Sequence, residues 1–357
     1  MKQKTVVVGM SGGVDSSVSA LLLKNQGYRV IGMFMKNWEE KDAAGTCRSA
    51  QDYEDVVKVC QQLDIPYYSV NFILEYREQV FSHFLSELKQ GFTPNPDILC
   101  NREIKFGALL EKALSLGADY LATGHYCQID GPADTPTLLK GNDPNKDQSY
   151  FLYTLKESIL QKVLFPIGHL PKTEVRRIAK EYDLATSLKK DSTGICFIGK
   201  RDFKEFVGQF LGYQPGNFEN LKGEIIGQHD GIAFYTLGQR KGLGIGGPGE
   251  AWFVVAKDPA RNVVIIEQGD DHPALYKDVL LATELSWISG SPPDPLPYAC
   301  SAKVRYRQPE QPCVIEKIDN GQAHVRFLQP QRAVTPRQSI VFYEQERCLG
   351  GGMISAF

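Results

Sequence analysis

In the stretch TVVVGMSGGVDSSV, residues 5–18, an apolar β-branched run leads straight into a polar, glycine-rich turn and then into a helical pattern. A strand without polar alternation is buried on both faces, and one that passes at once to a helix opens a βαβ unit. The alternation repeats up to about residue 125. YRVIGMFM is followed by helical periodicity over 49–63, YYSVNF by 74–90, and a further helix over 102–116 leads to DYLATGHY. Right-handed βαβ units in series predict an α/β fold with a Rossmann-like parallel sheet covered on both faces. Near 74–90, Ile73, Tyr76, Val80, Phe84 and Leu88 share one stripe, which predicts a core face.

The region 131–149, rich in Gly, Pro, Asp and Asn, reads as a loop, and 171–183 and 201–211 read as helices. From about residue 212 the texture changes. Short strands such as GIAFYTLG, AWFVVAKD and NVVIIEQG stand among Gly and Pro, and CSAKVRYRQ, PCVIEKI, QAHVRFL and QSIVFYE follow at regular intervals. The expected organisation is an α/β domain over 1–205, a small β-rich central domain over 206–279 and a C-terminal β-barrel over 280–357.

Composition narrows the function classes only a little. A chain of 357 residues with 42 % apolar and 23 % charged residues suits a soluble protein of two or three domains, and no run approaches the ~18 apolar residues of a membrane span. The opening MKQKTVVVGM begins a strand at once, without the pattern of a secretory signal, so a cytoplasmic location without membrane attachment is expected. The eight cysteines fall at 47, 60, 100, 127, 196, 300, 313 and 348, not at zinc spacing, so they are expected to be thiols rather than a metal site or disulfide scaffold. A formal charge of −2 argues against a strongly basic protein and leaves a local basic face open.

Chemistry concentrates in three places. In GMSGGVDSSV, Gly12 and Gly13 allow a tight turn whose N–H groups approach an anion, and the following helix N-terminus adds a positive dipole end. The pattern lacks the lysine of a Walker A loop and the spacing of a dinucleotide fingerprint. A plain βα turn with Asp15 and Ser16 as helix caps is the bland alternative. Ser11, Gly12, Gly13, Asp15 and Ser16 together favour the cradle.

The second place is NPDILCNREIKF, residues 95–106, where Asp97 and Cys100 lie three positions apart in a proline-constrained turn. Cys100 is expected to open a helix over about 101–116, whose N-terminus, with Arg102 and Lys105, would favour thiolate. Asp97 fits a helix cap and a proton-transfer group equally. The third place is KKDSTGICFIGK, residues 189–200, where Cys196 sits in a polar, lysine-flanked loop rather than in a periodic core segment. Two such thiols suggest sulfur chemistry, one carrying a persulfide and the other attacking the substrate or that persulfide, with a transient disulfide between them.

S-G-G-x-D-S after a buried strand resembles the pyrophosphatase loop of enzymes that split ATP into AMP and pyrophosphate, usually with Mg2+. With GMSGGVDSS, NPDILCNREIKFG, ATGHY, KDQSYFLY, DSTGICFIG, YTLGQRKGLGIGG, AKVRYRQ and QSIVFYEQERCLGGGMI, nearly the whole chain resembles the bacterial tRNA-specific 2-thiouridylase family, which replaces the C2 oxygen of the anticodon wobble uridine by sulfur. The resemblance implies an ATP-pyrophosphatase catalytic domain over 1–205 and a tRNA-binding barrel. Gly9, Met10, Ser11, Gly12, Gly13, Val14, Asp15 and Ser16 would bind ATP, with Met35 and Gly124 completing the pocket. Asn95, Pro96 and Asp97 would meet the target base, Asp97 as acid/base; Cys100 would be the nucleophile and Cys196 the persulfide carrier. His125, Lys146, Asp147, Gln148, Arg305, Tyr306 and Gln338 would contact tRNA. The implied partners are tRNA and a persulfide-donating relay protein or desulfurase.

Residue chemistry supports these roles unevenly. For Met35 a core position fits at least as well as a site role, whereas the place of His125 at the carboxyl edge of the sheet favours a site role over its rival, a structural histidine. Tyr150, Phe151 and Tyr153 suit base stacking or a core, and Arg305 and Tyr306 suit a solvated strand face. Residues 186–201 are expected to move or refold when tRNA binds. Two rival functions remain: an ATP-pyrophosphatase-type amide ligase acting on a small molecule, and a non-catalytic RNA-binding protein on a degenerate nucleotide fold. The first leaves Cys100 and Cys196 without purpose; the intact loop and both thiols oppose the second.

Overall fold

The computed structural model describes residues 3–39, 48–191, 198 and 201–356, so Cys47 and Cys196 lie outside the described residues. Strands β1 (Thr5–Met10), β2 (Arg29–Lys36), β3 (Tyr67–Asn71) and β4 (Tyr120–Ala122) are followed by a hairpin of β5 (Cys127–Asp130) and β6 (Thr137–Lys140), and then by β7 (Val163–Leu164). The order β3-β2-β1-β4-β7 forms a wholly parallel sheet, as the alternation of runs and helices predicts. Successive residues of β1 enter opposite cores: Val6, Val8 and Met10 pack under one set of helices, Val7 under the other. The first set is α1 (Val14–Asn25) and α2 (Arg48–Gln62), with Val14, Val18, Leu21, Val56 and Val59 inward.

On the other face lie α3, residues 73–89, and α4, residues 96–115. Tyr76, Val80, Phe84 and Leu88 of the expected stripe are buried there. Both helices widen to π-helical pitch, over Arg77–Phe81 in α3 and Cys100–Leu109 in α4, a distortion that recurs at functional sites. Helices α5 (Lys172–Glu181) and α6 (Phe203–Leu211) follow; α5 packs beside α1.

The central β-rich unit has β8 (Gly216–Glu219), β9 (Ile225–His229), β10 (Trp252–Asp258) and β11 (Val263–Gln268) in the order β10-β11-β8-β9. In the C-terminal unit, β12 (Tyr276–Trp287), β13 (Tyr298–Lys303), β14 (Gln311–Asp319), β15 (Gln322–Arg332), β16 (Ser339–Glu344) and β17 (Arg347–Ala356) form an antiparallel sheet that closes on itself, since β12 pairs with both β15 and β17. Closure leaves no edge among these six strands. Inside it Leu280, Ala302, Ile315, Val325, Phe342 and Ile354 form a separate core.

One expectation is corrected here: 131–149 is not all loop, because Thr137–Lys140 is a strand and pairs with β17 of the barrel. Alternation in TLLK is too short to register beside its polar surroundings. The α/β sheet and the barrel are further joined through Tyr150, whose hydroxyl donates to Ser339 O at 2.9 Å. Among the described residues no helix is long and apolar enough to cross a membrane.

Candidate functional site

The turn between β1 and α1 lies at the carboxyl end of a central strand, where open α/β sheets place their ligands. Gly12 adopts φ +72°, and a Cβ there would stand 2.5 Å from Asp52 O, so only glycine closes this turn. The Ser11 amide donates to Ser16 Oγ at 3.2 Å, and Ser16 Oγ and Ser17 Oγ donate to Gly13 O at 3.2 and 2.9 Å. The helix cap is Gly13, with no side chain to satisfy the first-turn N–H groups. Neither Asp15 nor Ser16 caps the helix, so the bland alternative of a capped turn does not form and the dipole end is left for an anion.

Asp15 points sideways from the loop into a cluster that sequence reasoning missed. Its carboxylate accepts from Lys172 Nζ at 2.6 and 2.8 Å and from Tyr126 OH at 2.7 Å. Burial first, and then the Asp15 charge and hydrogen bond, push the Tyr126 phenol far above its ordinary range, so it remains a donor. Lys172 is buried, and it also meets Asp191 at 3.1 Å, where Lys146 and Arg176 converge. A signal was present: Lys172 follows Pro171 at the first position of α5, and a cation there opposes the helix dipole unless an anion faces it. Gly124 closes over the loop, since a Cβ would stand 2.9 Å from Asp15 C and Ser16 N.

The second thiol-bearing segment departs from expectation at Cys100. The helix begins at Pro96, capped by Asn95, whose Oδ1 accepts from the Asp97 amide at 3.1 Å. Proline at the first helical position has its φ preset and no N–H to lose, so the helix starts four residues early. Asp97 is thus not the cap, and Cys100 does not open the helix; it is buried one turn in, beyond the reach of the strongest dipole effect. Arg102 pairs with Glu103, at 2.6 Å. Burial raises the Asp97 pKa above 3.8, opposed by the charge of Lys105.

Lys105 Nζ lies 3.4 Å from His125 Nε2, and His125 Nδ1 lies 2.7 Å from Thr123 Oγ1. Burial, aided by the Lys105 charge, pulls the His125 pKa well below 6.5, so the ring is neutral. The tripeptide Gly124-His125-Tyr126 therefore touches both places: Gly124 and Tyr126 the loop, His125 the thiol helix.

The remaining expected residues divide. Met35, next to last in β2, is half-buried against the core. Lys146 faces Asp191, whereas Asp147 is buried and accepts from the Gly141 and Ser149 amides, Ser149 Oγ and Lys303. Gln148 Oε1 accepts from the Tyr126 amide at 3.0 Å. Arg305 and Tyr306 do not lie on a solvated strand face; they follow β13 in a turn. Arg305 Nη2 donates to Leu237 O, Ala333 O and Thr335 Oγ1, and burial lowers its pKa. Tyr306 packs its ring 4.3 Å from that of Phe151. Tyr150 and Tyr153 are core residues. Gln338 Nε2 donates to Thr93 O at 2.5 Å, two residues before Asn95. Thr186 is anchored to Ser17 and Lys189 to Asp52 and Asp55; Cys196 and a disulfide to Cys100 lie outside the described residues.

Comparison with known proteins places the chain in a family. Residues 4–200 match the family described as tRNA methyl transferase HUP domain, 204–268 its PRC-barrel domain, and 277–354 an aminomethyltransferase β-barrel domain. The class is thus a HUP-domain protein carrying two β-rich modules. The tRNA-specific 2-thiouridylase MnmA of Protochlamydia amoebophila is 64 % identical over 99 % of this chain and 93 % of its own length. The proteins of the same name from Shouchella clausii and Bacillus subtilis are 58 % and 57 % identical, each over 98 % of this chain and 96 % and 94 % of their own. The chain belongs to the tRNA-specific 2-thiouridylase family.

Proposed function

We propose that the protein is a tRNA 2-sulfurtransferase: it uses ATP to activate the C2 oxygen of the wobble uridine and replaces it with sulfur, releasing AMP and pyrophosphate. The observation that carries the reading is the Gly124-His125-Tyr126 bridge, which holds a phosphate cradle and the Asp97/Cys100 helix against each other. Neither part alone specifies sulfur transfer; their union supplies an activating site beside a thiol.

Residues 9–16 take the phosphates, chiefly on the first-turn N–H groups that no side chain caps, with Met35 and Gly124 bordering the nucleotide. Among the described residues no cluster of three metal-ligating side chains is present, and Asp15 is engaged by Lys172. A Mg2+ ion would therefore be brought by the nucleotide and held largely by its phosphates, with the Asp15 carboxylate of the loop as the residue that could join them; such an ion would neutralise phosphate charge. The uridine, turned out of the anticodon stack, sits against Asn95, Pro96 and Asp97. Asp97 manages the proton, its raised pKa suiting that task.

Cys196 carries the transferable sulfur, supplied by a relay protein or desulfurase. The terminal persulfide sulfur displaces AMP at C2, and Cys100 attacks Cys196 Sγ; alternatively Cys100 first releases the sulfur as sulfide, which then displaces AMP. Both routes leave a Cys100–Cys196 disulfide that a thiol reductant reopens. Lys146 and Tyr306, both partly exposed, offer surface to the tRNA, while the buried His125, with Asp147, Gln148, Arg305 and Gln338, shapes that surface through the internal bonds described above. A location in the cytoplasm follows from the substrate.

The test measures AMP release and sulfur incorporation with wild type, Cys100→Ser and Cys196→Ser. AMP should form only with tRNA present, and both variants should lose sulfur transfer. AMP formation without tRNA, unaffected by both substitutions, would favour an amide ligase. Transfer of a methyl group to the tRNA would instead vindicate the methyl transferase description of the matched domains.

A further inference from the structure

Lys146, Lys172 and Arg176 come from two parts of the chain and converge on a single carboxylate. Asp191 Oδ2 accepts from Lys146 Nζ at 2.7 Å, while Oδ1 meets Arg176 Nη2 at 2.5 Å and Lys172 Nζ at 3.1 Å. Lys172 is the joint with the phosphate loop, because the same ammonium holds Asp15 at 2.6 Å. Three cations thus meet two carboxylates beside an uncapped helix N-terminus. Charge-assisted donors aimed from several sides at one point, including a guanidinium, are what a phosphate group requires.

We propose that the Asp191 carboxylate is an internal substitute for phosphate, occupying the point where Lys146, Lys172 and Arg176 grip the terminal phosphates of a nucleotide seated on the loop, and that those phosphates displace it. The inference rests on the nucleotide reading of the loop. Asp191 is only partly buried, so its side chain can move out into water once displaced. Its ionisation is secure: burial would raise the pKa, but hydrogen bonds from Lys146 and Lys172 outweigh burial and hold it at about 2. Displacement also reaches further along the chain. Arg176 donates to Ser187 O and Lys189 O as well as to Asp191, and Asp191 stands five residues before Cys196 in the sequence. Phosphate arrival is therefore transmitted to the stretch that leads to the second thiol.

The opposite reading makes Asp191 a scaffold that holds the three cations ready, and the two readings differ in sign. Binding of inorganic pyrophosphate with magnesium is measured by calorimetry for wild type, Asp191→Asn and Lys146→Gln. Removing the competing negative charge should tighten pyrophosphate binding about tenfold in Asp191→Asn, and removing a gripping cation should weaken it several-fold in Lys146→Gln. Equal or weaker binding by a folded Asp191→Asn would overturn the proposal. Independently of any variant, amide exchange over 187–191 in wild type should speed up when pyrophosphate is added, and unchanged exchange would also overturn it. Failure of the wild type to bind pyrophosphate or ATP at all would instead remove the nucleotide reading of the loop.

Discussion

Gly124→Ala tests the coupling between the phosphate loop and its lid of backbone. The added Cβ would stand 2.9 Å from Asp15 C and Ser16 N and 3.0 Å from Asp15 Cβ, where ordinary contact begins at 3.4 Å. The loop must then retreat by about 0.5 Å, because the obstructing atoms are backbone and cannot rotate aside. Gly124 is not in the left-handed region, so the effect is steric rather than conformational. A retreat of that size stretches the 2.6 Å Lys172–Asp15 and 2.7 Å Tyr126–Asp15 bonds towards the limit of useful hydrogen bonding. The strain corresponds to about 1–3 kcal/mol of stability, and the misplaced phosphates to a loss of roughly ten- to a hundredfold in kcat/KM for ATP. Steady-state AMP formation against ATP concentration reads the effect, while tRNA affinity, measured by filter binding, should stay unchanged. Gly246→Ala is the matched comparison, since a Cβ there meets nothing within 4 Å. A folded Gly124→Ala protein with wild-type kcat/KM for ATP would show that the loop does not depend on this contact.

Asp97→Asn should melt at a higher temperature than wild type at pH 7 while losing about 10²-fold or more in turnover. Burial raises the folded pKa, so the ionised carboxylate costs stability, a cost absent below the ordinary value of 3.8 and complete above the folded pKa; a lower melting temperature would contradict this. Lys257, half-buried with its ammonium on Gly91 O at 2.7 Å, has its pKa pulled down to about 7 by desolvation, so stability should fall as pH drops from about 10 towards 7, and Lys257→Met should flatten that slope in thermal melts. Asn95→Ala removes the cap of α4 and should cost about 1 kcal/mol in urea unfolding. Cys300 and Cys313 face each other across β13 and β14 with sulfurs 3.7 Å apart, so mild oxidation should join them in a disulfide that mass spectrometry maps after proteolysis.

The parallel sheet was legible because TVVVGM, YRVIGMFM and DYLATGHY carry a signal that only burial on both faces explains. The cradle was legible for a related reason: Gly12 and Gly13 serve a local turn, and local chemistry is written locally. What the sequence concealed depends on pairs distant along the chain. Asp15 and Lys172 lie 157 residues apart, and nothing near either residue announces the other. Asp147 and Arg305 look like surface contacts by composition, yet their bonding capacity is spent inside the fold, a fact visible only when Ser149, Lys303 and Leu237 are brought alongside. The start of α4 differs from the expected one for a local reason: Asn95 and Pro96 form a better cap and first turn than Asp97 and Cys100.

The most direct measurement incubates the protein with ATP, magnesium, a sulfide source and tRNA transcribed without modifications, then digests the RNA for nucleoside mass spectrometry while AMP is quantified. The expected result is 2-thiouridine at the wobble position, formed in step with AMP and absent when ATP is withheld. Unmodified uridine at that position, despite AMP release that is indifferent to tRNA, would contradict sulfur transfer and move the substrate to a small molecule.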